Sequence, residues 1–174
     1  MIASAKTKLC ISIASDPGDF GMNFHNASYK FLNLDWVYIA RKVNDFNELK
    51  NVFSGIRALN IKGCSVSMPH KEKVLEFLDD IDPPAKKIGA INTITNKDNE
   101  LKGYNTDFYG AKKVLEKTNI KGKNVVLIGA GGVSKSVGHA VKELGGSLTI
   151  ANRTIEKSEK LSRKLKAKTI DFEN

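Results

Sequence analysis

The segment Gly129-Ala130-Gly131-Gly132-Val133-Ser134 stands between the apolar run Val125-Val126-Leu127-Ile128 and a helix-like stretch over 133–144. Glycine has no Cβ, so a backbone rich in it can approach a pyrophosphate closely, and the N–H groups and positive dipole of a helix start attract the anion. The spacing is Gly-x-Gly-x-x-Ser, with Ser134 where a third glycine would allow close helix packing. A glycine-rich turn alone binds nothing, and it is the strand-turn-helix setting that points to a dinucleotide. About 20 residues on, a chain that binds NAD presents Asp or Glu to the ribose, whereas one that binds NADP presents a cation to the 2′-phosphate. Here the next strand runs into Asn152-Arg153-Thr154, with Lys157 one turn later. Arg153 offers a permanently charged planar fork, Thr154 can cap a helix while donating to phosphate, and Lys157 adds charge, so NADP is expected.

Three segments in the first half bring other groups: Ser65-Val66-Ser67-Met68-Pro69-His70-Lys71, Gly89-Ala90-Ile91-Asn92-Thr93 and Gly103-Tyr104-Asn105-Thr106-Asp107. Taken singly, a lysine after a proline is ordinary surface, Asn-Thr beside a hairpin is turn chemistry, and Thr-Asp before a helix is an N-cap. Together they offer an ammonium, an amide and a carboxylate at strand ends or helix starts, where α/β folds collect ligands. Reducing a carbonyl takes a positioned proton donor as well as a hydride, and a lysine beside an aspartate supplies one if burial lowers the amine from ~10.4 toward neutrality.

Alternating elements must hold these residues. Strands are predicted over 9–14, 36–40, 63–67, 125–128 and 147–151, and helices over 22–32, 45–59, 108–115, 133–144 and 154–165. A further helix is predicted to start at Pro69, since proline suits a first helical position. Phe46, Leu49, Val52, Phe53, Ile56 and Leu59 recur every three or four residues on one helical face, with Asp45 as N-cap. Residues 91–95 and 101–104 read as a hairpin about a turn at 96–99. The helix over 108–115 reads as a bridge between two domains. The β-branched run 125–128 has the pattern of a parallel strand buried on both faces, and the β-α-β-α order beyond it is half of a doubly wound sheet.

The 174 residues leave room for one medium domain or two small ones, and 41% hydrophobic with 27% charged residues describes an ordinary folded chain. Cys10 and Cys64 lie far apart without Cys-x-x-Cys or His spacing, which argues against a disulfide framework or a metal site and fits the reducing cytoplasm. The apolar runs are strand-length, far below the ~18 residues of a membrane span, and the first, over 9–14, reads as a strand rather than a secretory segment. Net charge is +9, and residues 103–174 carry 14 Lys/Arg against 7 Asp/Glu. Nucleic-acid binding would need a clustered basic face with stacking aromatics, yet Phe172 is the sole aromatic after residue 124, so no nucleic-acid partner is expected.

In this order and at these separations, Ser67-Met-Pro-His-Lys71, Gly89-Ala-Ile-Asn92-Thr93, Asn105-Thr106-Asp107, Gly129-Ala-Gly-Gly and Asn152-Arg153-Thr154 resemble the shikimate dehydrogenase family over essentially the whole chain. The resemblance implies an α/β protein: an N-terminal α/β substrate-binding domain, residues 1–105, and a Rossmann-like, doubly wound NADP-binding domain, residues 106–174. It implies a catalytic pair at Lys71 and Asp107 and substrate contacts at Ser67, where the family has threonine, and at Asn92. It implies a phosphate site at Asn152, Arg153 and Thr154, with Lys157 where another cation is common, and a cofactor loop at Gly129, Ala130, Gly131 and Gly132.

Two departures stand out. The family's Ser-x-Ser pair, which binds the substrate carboxylate shortly before His-Asn, falls by register from His25-Asn26 on Asp19 and Gly21. An aspartate cannot donate to a carboxylate and repels it. The segment is more similar to the divergent shikimate-dehydrogenase-like branch, with Ser12 and Ser15 as substitutes for the lost donors. Family members also run well past the position of Asn174, so the Rossmann-like domain is expected to be incomplete. The expected function is NADP-dependent interconversion of shikimate, or a related cyclic hydroxy acid such as quinate, with its 3-dehydro form, a step of aromatic amino-acid biosynthesis. The expected protein is cytoplasmic, a monomer or homodimer, with no metal and no membrane partner; the alternative is a non-catalytic or impaired ligand-binding protein or fragment.

Overall fold

The computed structural model describes residues 3–172. The chain divides into two compact units, the first ending at Tyr104 and the second beginning at Asn105.

In the first unit, β1 (Lys8–Ala14), α1 (Phe20–Phe31), β2 (Trp36–Lys42), α2 (Phe46–Ala58) and β3 (Gly63–Val66) precede a short 3-10 helix, Lys73–Phe77. Then follow β4 (Asp80–Ile81), α3 (Pro83–Ile88), β5 (Thr93–Lys97) and β6 (Glu100–Tyr104). The strands form one six-stranded sheet in the order β2-β1-β3-β5-β6-β4. β1 pairs in parallel with β2 and β3, while β5 runs antiparallel to β3 and β6. The α2 face read from sequence is buried at Leu49, Phe53 and Ile56, against Ile11, Ile13, Val66 and Ile94 of the sheet. Asp45 caps this helix as expected, its carboxylate accepting from Glu48 N–H at 2.9 Å, and the Glu48 carboxylate accepts in return from Asn44 N–H at 2.6 Å. The hairpin closes more tightly than predicted, with Asp98 and Asn99 at φ +53° and +67° between β5 and β6. That left-handed pair suits a two-residue loop.

The helix predicted from Pro69 does not form. Ser67 N–H donates to Ile13 O at 2.9 Å and Ser15 N–H to Met68 O at 3.2 Å, so the chain stays tied to the end of β1 through Met68. A cis Met68–Pro69 bond and a His70 N–H to Ser67 O turn at 3.0 Å then reverse it, and helical geometry starts only at Lys73. β4 and α3 have no counterpart in the elements predicted from sequence.

The second unit comprises α4 (Thr106–Glu116), β7 (Asn124–Ile128), α5 (Gly132–Glu143), β8 (Ser147–Ala151), α6 (Ile155–Leu165) and β9 (Lys168–Ile170). Its parallel sheet runs β7-β8-β9 over a core of Val141, Leu148, Ile150, Leu161 and Leu165. β7 corrects the expectation of a strand buried on both faces. Val125 and Leu127 pack on the core, but Val126 and Ile128 are 57% and 70% exposed. The reason is that successive side chains of a strand point to opposite faces: Val125 and Leu127 lie on the face that carries the core, and Val126 and Ile128 on the other.

Arg57 of α2 ties the β5–β6 hairpin to the rest of the first unit. Its guanidinium donates to both Asp79 carboxylate oxygens at 2.9 and 3.1 Å, to Phe77 O at 3.2 Å and to Asn99 O in the hairpin turn. Leu101 N–H donates to Asp79 at 2.7 Å; that bond first, and then Arg57, holds the Asp79 carboxyl below its usual range. A depressed carboxyl stabilises the fold above the ordinary carboxylate pKa of ~3.9 and loses that contribution as pH falls through the folded value. Asp79→Asn is therefore expected to lower stability by up to about 1 kcal/mol at pH 7, given its exposure, and by progressively less below about pH 4. Denaturant titrations of both proteins from neutral pH to pH 3 check this, and a pH-independent difference would remove the ionic account.

Candidate active site

In the first unit the predicted substrate residues gather at one end of the sheet. Ser67 follows β3 directly and is exposed. Lys71, half-buried, lies four residues on, and its carbonyl accepts from Ile91 N–H at 2.7 Å. Asn92 comes next, just before β5, with Val66 N–H donating to its carbonyl at 2.9 Å and its own N–H donating to Tyr104 O at 3.0 Å. Its side-chain oxygen accepts from the Thr93 hydroxyl at 3.0 Å. Backbone bonds thus bring Ser67, Lys71 and Asn92 together by way of Val66 and Ile91. His70, which sequence reasoning passed over, anchors this loop: it is 1% exposed and its Nε2 lies 2.8 Å from Val43 O. No periodicity marks it, because it sits in a turn.

Asp19 is the exposed N-cap residue of α1, with no side-chain capping bond, and Gly21 lies in the first turn with nothing within 4 Å of where a Cβ would stand. Ser12 lies within β1, in register with Ser65 of β3, whereas the Ser15 hydroxyl sits past the β1 end, 3.5 Å from Met68 O. A cleft of about 280 Å³ opens beside α1 and β2, lined by Asn26, Lys30 and Trp36 among others, and none of the predicted site residues lines it.

In the second unit Asp107 is the second residue of α4, where a carboxylate suits the helix dipole. Asn105 caps that helix by accepting from Phe108 N–H at 3.0 Å, and the buried Ser136 hydroxyl of α5 donates to the same oxygen at 3.0 Å. The helix carrying Asp107 is therefore fastened to the helix that follows the glycine loop.

The loop itself refines the expectation from sequence. Gly129, at φ +110°, donates to Ala151 O at 2.7 Å, Ala130 donates to the Asn152 side chain at 3.2 Å, and Gly131 donates to the Ser134 hydroxyl at 3.2 Å. Three of the four predicted loop amides are thus occupied within the chain. The amides open to an anion are those of Gly132 and Val133, the first two residues of α5, which have no acceptor among the described residues, whereas Ser134 closes a capping box with Gly131. A glycine pattern does not reach Val133; the signal that marks it is the helix start. Arg153, Thr154 and Lys157 sit exposed at the start of α6, Arg153 and Lys157 without an ion pair among the described residues, and Thr154 occupies the N-cap without a side-chain capping bond. Among the described residues no three His, Cys, Asp or Glu side chains gather as a metal site requires. No helix there is long and apolar enough to cross a membrane.

A six-stranded mixed sheet with Ser, Lys and Asn at its strand ends, followed by a parallel β-α-β-α unit with a glycine loop, defines a class of two-unit α/β proteins. Residues 21–94 match the family model described as shikimate dehydrogenase substrate binding domain, and residues 110–174 match shikimate / quinate 5-dehydrogenase. The chain belongs to the shikimate dehydrogenase family. It is 43% identical over 157 residues to shikimate dehydrogenase (NADP(+)) of Methanosphaera stadtmanae, an alignment covering 89% of this chain and 55% of that protein. A solved shikimate dehydrogenase in complex with NADP+ superposes with a TM-score of 0.88 at 37% identity, covering 99% of this chain and 64% of that one. A shikimate 5-dehydrogenase of Listeria monocytogenes in complex with shikimate and NAD gives 0.89 at 33% identity, covering 99% and 64%. The chain thus spans roughly half to two thirds of the length of the relatives it matches.

The loop geometry separates its glycines. Gly129→Ala is expected to destabilise the second unit by about 1–3 kcal/mol, because φ +110° disfavours any Cβ. Gly131→Ala, at φ −83° and with nothing within 4 Å of the added Cβ, is expected to change stability little. Thermal melts of the two variants check the contrast, and equal losses would contradict it.

Proposed function

We propose that this chain carries the substrate-binding and cofactor-binding parts of an NADP-dependent oxidoreductase that interconverts shikimate, or a closely related cyclic hydroxy acid such as quinate, with its 3-dehydro form. The observation that carries the reading is the pairing, in one chain, of the Ser67, Lys71 and Asn92 cluster with a helix start whose open amides lie in the same unit as Arg153 and Lys157, two cations without an ion pair among the described residues. Those residues fit a phosphorylated dinucleotide: the amides of Gly132 and Val133 suit the pyrophosphate, and Arg153, Thr154 and Lys157 suit a 2′-phosphate. When bound, NADPH supplies the hydride. Ser67 and Asn92 hold the substrate's polar groups. Lys71, with Asp107 as its carboxylate partner by the family resemblance, places positive charge and a proton at the oxygen where negative charge develops. NADP is preferred over the NAD held by the Listeria relative because Arg153 stands where an NAD site needs a carboxylate. We assign the protein to the cytoplasm, as a monomer or homodimer working with small molecules alone.

Asp19 and Gly21 make the carboxylate end of the substrate the point where this chain departs from its family. Replacing both with serine removes a repelling charge and adds two hydroxyls, and the open space at Gly21 accepts the side chain. The double variant is expected to bind shikimate about ten-fold or more tightly in calorimetric titration, on the scale of one to two hydrogen bonds to a charged group. Unchanged affinity would move the carboxylate to other donors, Ser15 first.

The catalytic assignment is tested by following NADPH consumption with 3-dehydroshikimate. Lys71→Ala is expected to lower kcat by about 10²–10⁴ while leaving NADPH affinity unaltered. Asp107→Ala should cost a similar factor and the double variant little more, as for residues acting as one unit. Similar kcat values for the wild type and both single variants would refute it, and binding of both ligands without turnover by the wild type would favour the ligand-binding alternative.

A further inference from the structure

We infer that Asn152 is a positioning residue that sets the shape of the glycine loop, and that discrimination of the 2′-phosphate is left to the side chains after it. This rests on the dinucleotide reading of the second unit. It departs from the family resemblance, which counts Asn152 among the phosphate contacts.

The argument starts where the sheet stops. β7 and β8 pair in parallel to Ile128 and Ala151, and Gly129 N–H extends the ladder by one bond, 2.7 Å to Ala151 O. The next donor, Ala130 N–H, has left the sheet and finds no backbone acceptor. Asn152 Oδ1 takes it instead at 3.2 Å, a side chain standing in for the missing strand partner 22 residues away. Its Nδ2 donates at 2.9 Å to Thr154 O, which also accepts from Lys157 N–H at 3.1 Å as α6 begins. The two partners fix the orientation of the amide, since a donor faces Oδ1 and a carbonyl faces Nδ2. One side chain therefore spans the glycine loop and the first turn of α6. Its oxygen, turned to Ala130, has nothing to offer an anion. One of the two Nδ2 protons is taken by Thr154 O, so the side chain is held by the loop and the helix start before any ligand arrives.

The chemical consequence separates the two roles. The pyrophosphate loop serves NAD and NADP alike, so loosening it weakens both equally, whereas a lost 2′-phosphate contact weakens NADP alone. Removing Asn152 should leave the ratio of the two affinities where it was. Removing Arg153 should collapse that ratio.

Calorimetric titration of NAD and NADP into the wild type, Asn152→Ala and Arg153→Ala provides the first measurement. We expect Asn152→Ala to raise both dissociation constants by a common factor of about ten, the scale of one lost hydrogen bond with its loop ordering. Arg153→Ala should weaken NADP selectively. A loss confined to NADP in Asn152→Ala would overturn the inference. The second measurement needs no nucleotide and no variant: amide hydrogen exchange in the free wild-type chain should show Ala130 protected relative to Val133, which has no acceptor. An unprotected Ala130 amide would overturn the inference even if Asn152→Ala fails to fold. Failure of the wild type to bind either nucleotide would instead refute the dinucleotide reading, leaving the exchange result to decide the role of Asn152.

Discussion

Parallel strand pairing leaves each strand to end with backbone groups that no neighbour satisfies, and both units are organised around how those ends are closed. In the first unit β1 and β3 pair to Ile13 and Val66, and one further bond, Ser67 to Ile13, carries the ladder past the strand end before the chain turns at Pro69. In the second, β7 and β8 pair to Ile128 and Ala151, and one further bond, Gly129 to Ala151, does the same before the glycine loop. Most of the residues proposed to face a ligand lie within a few positions of these two closures. Anything that shifts either register displaces them together.

Stability and site are kept apart in space but joined through hydrogen bonds. The first-unit core of Ile13, Leu49, Phe53, Ile56 and Ile94 is wholly apolar, and the groups that face a ligand stand beyond its edge on chain ends held by backbone bonds. His70 and Asn96 are exceptions: the buried His70 ring fastens the Ser67–Lys71 turn to Val43, and the buried Asn96 amide donates to Ile56 O. Burying the His70 ring costs desolvation, which the contact of Nε2 with Val43 O offsets in part, while the buried Nδ1 has no hydrogen-bond partner among the described residues. Ser136 plays the same part in the second unit, where a buried hydroxyl on α5 secures the cap of α4.

On the proposed function, substrate choice falls to a few side chains at the rim of the first unit. Lys71 and Asn92 sit within the bonded framework, whereas Asp19 and Gly21 occupy the exposed start of α1, a helix with no buried residue. A change there disturbs no core packing, so this end of the site can alter its ligand chemistry at little cost to the fold. In the proposed register, that physical freedom is what would let Asp19 and Gly21 replace the serine pair at the outer edge while the inner motif residues are kept.

Much of this is legible in the amino-acid sequence. The three-and-four spacing of Leu49, Phe53 and Ile56 and the Asp45 cap are local signals, decided within one or two helical turns, and they define α2 without reference to any distant residue. The glycine loop between an apolar run and a helix is legible for the same reason. What the tertiary structure decides depends on partners distant in the chain. The extended path to Met68 follows from bonds to Ile13 and Ser15 rather than from the preference of Pro69, and the exposure of Val126 and Ile128 follows from which face of the sheet carries the core. Most consequential, the Ala130 amide of the glycine loop is closed by Asn152, across a parallel register that no local pattern encodes. Propensity and periodicity act over a few residues; register is a property of the assembled sheet.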